Sequence, residues 1–274
     1  MKASSATRDP FSVRNRVACV TGASSGLGRA SASFLVRAGA RVVGVARDED
    51  RLKDWRREAG HGRTAAVVAD LAELVRVASK DSDADDDIDI DALTTDVRDR
   101  VSAPFGPPEI LVNAAGINPR RPADSVFRSD WHRTLDLNLS VPFFLTRALV
   151  PAMRQAGWGR VVNFASLQSR RAFPNGIAYG ASKGGVEQLT RAMAEAWSRD
   201  GVLVNALAPG FFPTPLTAPL FAEPTAVGRL AAATCLGRNG EPADLEGPLI
   251  FFCSDACRYV TGQLLFVDGG FMVQ

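Results

Sequence analysis

The stretch TGASSGLG, residues 21–28, decides how the rest of the chain reads. It closes the apolar run RVACVTG (16–22), which has the composition of a strand, and it opens GLGRASASFLVRAG, whose apolar spacing predicts a helix ending at Gly39. Glycines at 22, 26 and 28 permit a tight turn and let the backbone approach a ligand where a Cβ would collide. The helix start then offers unpaired N–H groups and the positive end of its dipole to a phosphate. The spacing is G-x-x-x-G-x-G rather than the better-known G-x-G-x-x-G, so its position between a strand and a helix carries the reading.

Working outward, the same alternation recurs. ARVVGVAR (40–47) reads as a second strand, and DEDRLKDWRREAG (48–60) as a charged helix closed by Gly60. RTAAVVAD (63–70), EILVNAAG (109–116), RVVNFAS (160–166), VLVNALAP (202–209) and LLFVDGG (264–270) supply five more strands. Their nearly continuous apolar runs suit strands covered by helices on both faces. The expectation is an α/β fold of the Rossmann type: one doubly wound parallel sheet of about seven strands, in a single domain over 1–274. Such sheets bind ligands at the carboxyl ends of their strands.

Composition narrows the function classes. The 274 residues are 46% hydrophobic and 23% charged, with a formal charge of +2, which gives no case for nucleic acid or an anionic membrane. No apolar run approaches the ~20 residues that span a bilayer. The first residues lack the apolar stretch of a secretion signal, so the cytoplasm is expected. The cysteines form no framework; Cys253 and Cys257 are spaced C-x-x-x-C, unlike a zinc knuckle, and buried free thiols are expected. Neither His61 nor His132 belongs to a metal motif, and no metal site is predicted. The segment SKDSDADDDIDIDAL (79–93) faintly mimics a calcium loop from Asp81, but Asp86 stands where the loop needs glycine and Ala92 where it needs glutamate. A solvated acidic insertion at about 79–91 is the expectation.

Acid–base chemistry must therefore come from elsewhere, and AYGASKGG (178–185) offers it. Tyr179 is one of two tyrosines in the chain, and Lys183 follows at i+4 on a predicted helix from Tyr179 to Ser198. That spacing puts both on one face, a turn apart. A phenol with a pKa near ~10 needs a neighbouring cation to work near neutral pH, and Lys183 is placed to lower it.

These motifs together resemble the short-chain dehydrogenase/reductase family over about residues 11–271. TGASSGLG resembles its cofactor turn, NAAG (113–116) the motif after strand four, APG (208–210) with Thr214 the nicotinamide segment, and VDGG (267–270) the usual ending. Asn138 in LDLNLS, Ser166 in NFAS, and Tyr179 with Lys183 match the catalytic tetrad. The resemblance implies that Ser166 hydrogen-bonds a carbonyl and Tyr179 transfers the proton as hydride moves. Lys183 would tune the phenol and hold the nicotinamide ribose, and Asn138 would anchor a water. A polar kink in the long helix beginning near Asp130 is the plainer role for Asn138. The implied cofactor contacts are Gly22, Ser24, Ser25, Gly26, Leu27 and Gly28 in the first turn, and Arg47, Asp70 and Leu71 beyond strands two and three. Asn113, Ala114 and Gly116 follow strand four, and Pro209, Gly210, Phe212 and Thr214 follow strand six, with Tyr179 and Lys183 between. Asp70 reads equally as a helix cap. Homotetramers are common in the family, so one is implied here.

Ala46 occupies the place where relatives that prefer NAD carry an acid, and Arg47 follows with a cation suited to a 2′-phosphate. Ser25, where many NADP-dependent relatives carry a basic residue, argues the other way. NADP(H) is the expected cofactor, with NAD(H) second. On the substrate side, INPRRPAD (117–124) resembles gluconate 5-dehydrogenase-like members, and Arg120 or Arg121 would clamp a sugar-acid carboxylate or else form a solvated pair. Gln168 is expected to face the pocket. A lid at about 209–235, with Phe211, Phe212 and Phe221 closing over the substrate and Pro213 where such relatives carry a polar residue, suits a less polar ketone. The sequence thus predicts an oxidoreductase interconverting a small-molecule ketone and a secondary alcohol, of carbonyl reductase type. A sugar-acid oxidoreductase, a 3-oxoacyl-thioester reductase and a non-catalytic dinucleotide-binding protein are the alternatives, in that order.

Overall fold

All seven predicted strands form, and all run parallel. The computed structural model describes residues 9–76 and 90–274. The strands are β1 (Val17–Thr21), β2 (Arg41–Ala46), β3 (Thr64–Val68), β4 (Ile110–Asn113), β5 (Gly159–Phe164), β6 (Val202–Pro209) and β7 (Leu264–Val267). They lie in one sheet in the order β3-β2-β1-β4-β5-β6-β7. The order reverses between β1 and β4, where Thr21 pairs with Asn113, and that reversal opens a crevice above the strand ends.

Helices α1 (Gly26–Arg37), α2 (Glu49–Ala59) and α10 (Glu246–Cys253) contribute Leu35, Trp55 and Leu249 to one core layer. Helices α4 (Ile90–Ser102), α6 (Val141–Ala156) and α7 (Ile177–Trp197) contribute Val97, Leu145 and Met193 to the other. Every residue of β1, β4, β5 and β6 is buried, as the uninterrupted apolar runs require. Helix ends follow local chemistry: the Asp48 side chain accepts the Arg51 N–H at the start of α2, and Gly60, at φ +92°, closes its end. After β3, the short α3 (Leu71–Arg76) follows.

The long helix expected from near Asp130 forms, and its irregularity falls at Asn138: α5 (Arg128–Leu135) passes through a π turn (Asp136–Ser140), which holds Asn138, into α6. One sequence expectation changes here. Cys19, Cys253 and Cys257 are buried free thiols, but Cys235 is exposed, because it follows the surface helix α9 (Pro224–Ala232). The acidic insertion lies largely outside the described residues; its predicted C-terminal edge overlaps the start of α4. Between β6 and α10 the predicted lid carries α9 and a one-turn helix, α8 (Ala218–Phe221). No described helix is long and apolar enough to cross a membrane. Among the described residues, no cluster of three or more His, Cys, Asp or Glu could hold a metal ion.

Candidate active site

A cavity of about 660 Å³ runs along the carboxyl ends of the strands, from Arg47 and Asp70 at one end to Arg120, Gln168 and Tyr179 at the other. The glycine turn forms its floor. Gly22 and Gly26 have φ of +71° and +54°, and a Cβ on Gly28 would lie 2.4 Å from the Gly22 carbonyl oxygen, so the turn closes only on a hydrogen at position 28. Ser25, extended at φ −159°, caps α1 without a side-chain bond, leaving the first amides of the helix free to meet an anion. This glycine cradle, with unpaired amides above it, fits a dinucleotide pyrophosphate. Thr21, which sequence reasoning missed, ties the two sides together: its Oγ1 accepts the N–H groups of Ala114 and Ala115, each at 3.1 Å.

At the far end, α7 brings Tyr179 and Lys183 to one wall. Lys183 Nζ lies 5.6 Å from the centroid of the Tyr179 ring and donates to the Phe164 carbonyl at 2.5 Å. Both side chains are buried. Burial pushes the Lys183 amine down to about 8. Burial also pushes the Tyr179 phenol above its usual range, and the Ser166 hydroxyl and the Arg120 guanidinium offset only part of that rise. The expectation that Lys183 lowers the phenol is therefore corrected for the free protein. The spacing puts the two groups together, but desolvation outweighs the attraction, and the cation acting on the phenol is Arg120.

Ser166 caps the short turn that follows β5. Its Oγ accepts the Gln168 N–H at 3.1 Å, which occupies a lone pair and leaves the O–H free to donate. The turn is fastened to α7 twice. Ser169 Oγ donates to the Lys183 carbonyl at 2.7 Å, and Arg170 Nη2 donates to Glu187 at 2.7 Å. Burial alone would raise the Glu187 carboxyl, but hydrogen bonds from Arg170 and Arg191 hold it below its usual range. Asn138 does not line the cavity. Its Oδ1 accepts the Ile117 N–H and its Nδ2 donates to the Ile117 carbonyl, both at 2.9 Å, which clamps the turn after β4 onto the π turn. Gly116 fits between: a Cβ there would lie 3.1 Å from Asn138 Oδ1 and 3.9 Å from Lys183 Nζ.

The remaining predicted residues divide. Ser24, Ser25, Leu27, Leu71, Ala114, Pro209, Gly210 and Thr214 line the cavity, as do Phe211 and Gln168. Asp70 does so while accepting the Ala72 N–H, so it is a helix cap as well. Asn113 lies elsewhere: its Nδ2 donates to Asn163 at 2.9 Å and to Thr146 at 3.3 Å, on the covered face of the sheet. Phe212 touches the cavity, but its ring packs over Gly240, where an added Cβ would come within 2.6 Å of it. Phe221 joins a side cluster with Phe173, Phe211 and Phe271 without lining the cavity, so of the three lid phenylalanines only Phe211 faces the substrate end with its ring in that cluster. Of the arginine pair, Arg121 is engaged with Asp130 at 3.1 Å on the surface, whereas Arg120 lines the cavity. Asn118, Phe173 and Asn175 also line it; their turn and loop positions carried no sequence signal.

The chain matches the model of the family described as enoyl-(acyl carrier protein) reductase over residues 22–272. It is 37% identical over 267 residues to the gluconate 5-dehydrogenase of Gluconobacter oxydans strain 621H, covering 97% of this chain and 98% of that protein. Identity with the cis-4-hydroxycyclohexanecarboxylate dehydrogenase of Sinomonas cyclohexanicum is 35%, over 93% of this chain and 96% of that one. Among solved structures, a gluconate 5-dehydrogenase from Burkholderia cenocepacia J2315 in complex with NADP and tartrate aligns with a TM-score of 0.85 at 34% identity, covering 97% of this chain and 98% of that one.

Proposed function

The chain belongs to the short-chain dehydrogenase/reductase family, whose members here are dehydrogenases acting on CH–OH groups, and on that premise we propose that it interconverts a carboxylate-bearing ketone and its secondary alcohol, with NADP(H) preferred. The observation that carries the substrate class is Arg120. Its guanidinium shares the cavity end with Tyr179, its Nε is buried without a hydrogen-bond partner among the described residues, and its backbone is held at φ +52°. A buried unpaired donor is costly unless a ligand completes it. A carboxylate does so with a planar, charge-assisted fit. The two curated relatives are named for acids, and the Burkholderia structure holds the hydroxy acid tartrate.

The residues divide the chemistry as follows. Bound nicotinamide supplies the hydride in reduction and accepts it in oxidation. The Ser166 O–H donates a hydrogen bond to the carbonyl oxygen, and the Tyr179 hydroxyl gives that oxygen its proton, which completes the alcohol. Lys183, with Phe164 as its present acceptor, would hold the cofactor ribose, and Asn138 keeps the turn that carries Gly116 in place. Phe173, Phe211, Leu220 and Leu230 line the substrate end, which favours a compact acid of low polarity. Asn118, Gln168 and Asn175 stand in the same cavity and favour a second reading, a polyhydroxylated acid. For the cofactor, Arg47 is exposed at the cavity mouth with no ion pair or hydrogen bond among the described residues, and Ala46 offers no competing carboxylate. The same reading includes a cytoplasmic location and assembly into a homotetramer, the latter supported by the exposed Leu265 on the edge strand β7 and by the fully exposed Tyr259.

The test is a substrate panel, with 4-oxocyclohexanecarboxylate, 5-ketogluconate and cyclohexanone assayed against NADPH and NADH. The acids should be turned over with NADPH well ahead of cyclohexanone. Arg120→Ala should raise KM for the acids at least ~tenfold, the scale of a lost charged hydrogen bond. Equal turnover of cyclohexanone, with Arg120→Ala affecting all substrates alike, would overturn the carboxylate reading.

A further inference from the structure

We infer that Asp48 and Arg51 form a second, paired cofactor discriminator: Arg51 is a cation for the 2′-phosphate of NADP, and Asp48 is an acceptor for the 2′-hydroxyl of NAD. This rests on the NADP reading above and goes beyond the Ala46–Arg47 signal at the end of β2. Both side chains line the same end of the cavity as Arg47 and the facing Ser24 and Ser25. Asp48 is committed in two directions. Its Oδ1 accepts the Arg51 N–H at 3.0 Å and caps α2, while its Oδ2 pairs with Arg51 Nε at 3.3 Å.

The pair explains how an aspartate can stand beside a phosphate site. Alone, the Asp48 carboxylate would repel a 2′-phosphate; with Arg51 across it, that charge is partly offset. The two side chains are 57% and 43% exposed, so the ion pair itself contributes little, and Arg51 can turn to a phosphate at small cost. With a cofactor that lacks the phosphate, Arg51 stays on Asp48, and the lone pairs that the carboxylate keeps beyond its two bonds to Arg51 would accept a ribose hydroxyl at this lining position. Neighbouring charges leave this arrangement intact, because Arg29 is occupied by Glu58 at 2.7 Å and by the Arg51 carbonyl at 3.4 Å. Arg51 therefore acts on NADP by attracting the phosphate, while its position beside Asp48 offsets only part of that carboxylate's repulsion.

The experiment titrates NADPH and NADH by nicotinamide fluorescence, which needs no turnover, with the parent, Arg51→Met, Arg51→Lys and Asp48→Asn. Arg51→Met leaves the capped N–H in place, and asparagine caps a helix as well as aspartate, so both variants keep α2. Arg51→Met should weaken NADPH about tenfold or more, with NADH within about twofold, and Arg51→Lys should recover part of the loss. Asp48→Asn should tighten NADPH and weaken NADH, each by about threefold or more. A parent that binds NADPH more tightly, with both constants unmoved in Arg51→Met and Asp48→Asn, overturns this inference and leaves the cofactor reading standing. A parent that binds NADH more tightly, with NADPH indifferent to Arg47→Ala, overturns the cofactor reading itself.

Discussion

Lys183 is the residue at which the site works against the stability of the fold, and the size of that conflict can be measured. The side chain is 5% exposed, its Nζ has the Phe164 carbonyl as acceptor, and among the described residues no carboxylate pairs with it. Burial holds the amine at about 8, against about 10.4 in an unfolded chain. Between these values the unfolded chain keeps the proton that the folded chain has released, so stability rises as pH rises through this window. The whole displacement corresponds to about 3 kcal/mol. Lys183→Met keeps the length and the apolar stem and removes the titration. Urea unfolding of parent and variant at pH 7, 8, 9 and 10 isolates the effect, because every other titrating group is common to both. Relative to the variant, the parent should gain about 1.4 kcal/mol by pH 9 and about 2.5 kcal/mol by pH 10, with almost none of it below pH 7. A difference that stays flat within about 0.5 kcal/mol across the range would refute a desolvated, unpaired Lys183.

Three further outcomes follow from the same wall and floor. Tyr179→Phe removes the proposed proton donor and little else from a buried ring, so cofactor binding should persist while turnover falls at least ~100-fold; activity within a few-fold of the parent would displace Tyr179 from that role. Two glycine substitutions should behave oppositely. A Cβ at Gly28 meets the Gly22 carbonyl oxygen at 2.4 Å, backbone against backbone, so Gly28→Ala should weaken NADPH binding at least ~tenfold in a titration. A Cβ at Gly176 meets Gln168 Oε1 at 2.2 Å, the free end of a side chain. Gly176→Ala should therefore displace Gln168, changing substrate KM several-fold while the melting temperature holds within about 2 °C; an unchanged KM would remove Gln168 from the substrate contacts.

What the sequence could and could not disclose follows from the range of each interaction. The strands were legible because burial on both faces leaves a continuous apolar run, and the helix end at Gly60 because it is set within one turn of chain. Asn113 was misplaced for the opposite reason. Its motif points to the cofactor, yet its partner Asn163 is set by the β4–β5 register, in which the two residues stand opposite each other, and Asn163 in turn donates to Thr190 on α7. No local pattern encodes that chain of bonds. Asn138 was found by its motif, but its two bonds to Ile117 span 21 residues and exist only because the helix opens into a π turn there. Phe211 and Phe212 are adjacent, and which ring faces Phe271 and which faces Gly240 is decided by packing on opposite sides of one loop. The tyrosine–lysine pair shows the division most clearly. An i, i+4 spacing on a helix fixes which groups share a face, and so the meeting of Tyr179 and Lys183 could be read directly. Their charge states depend on desolvation, which comes from the tertiary packing that buries both side chains. That desolvation drives both groups toward neutrality, the phenol upward and the amine downward. Spacing identifies which two groups share a face, whereas the energy that sets their protons belongs to the assembled wall around them.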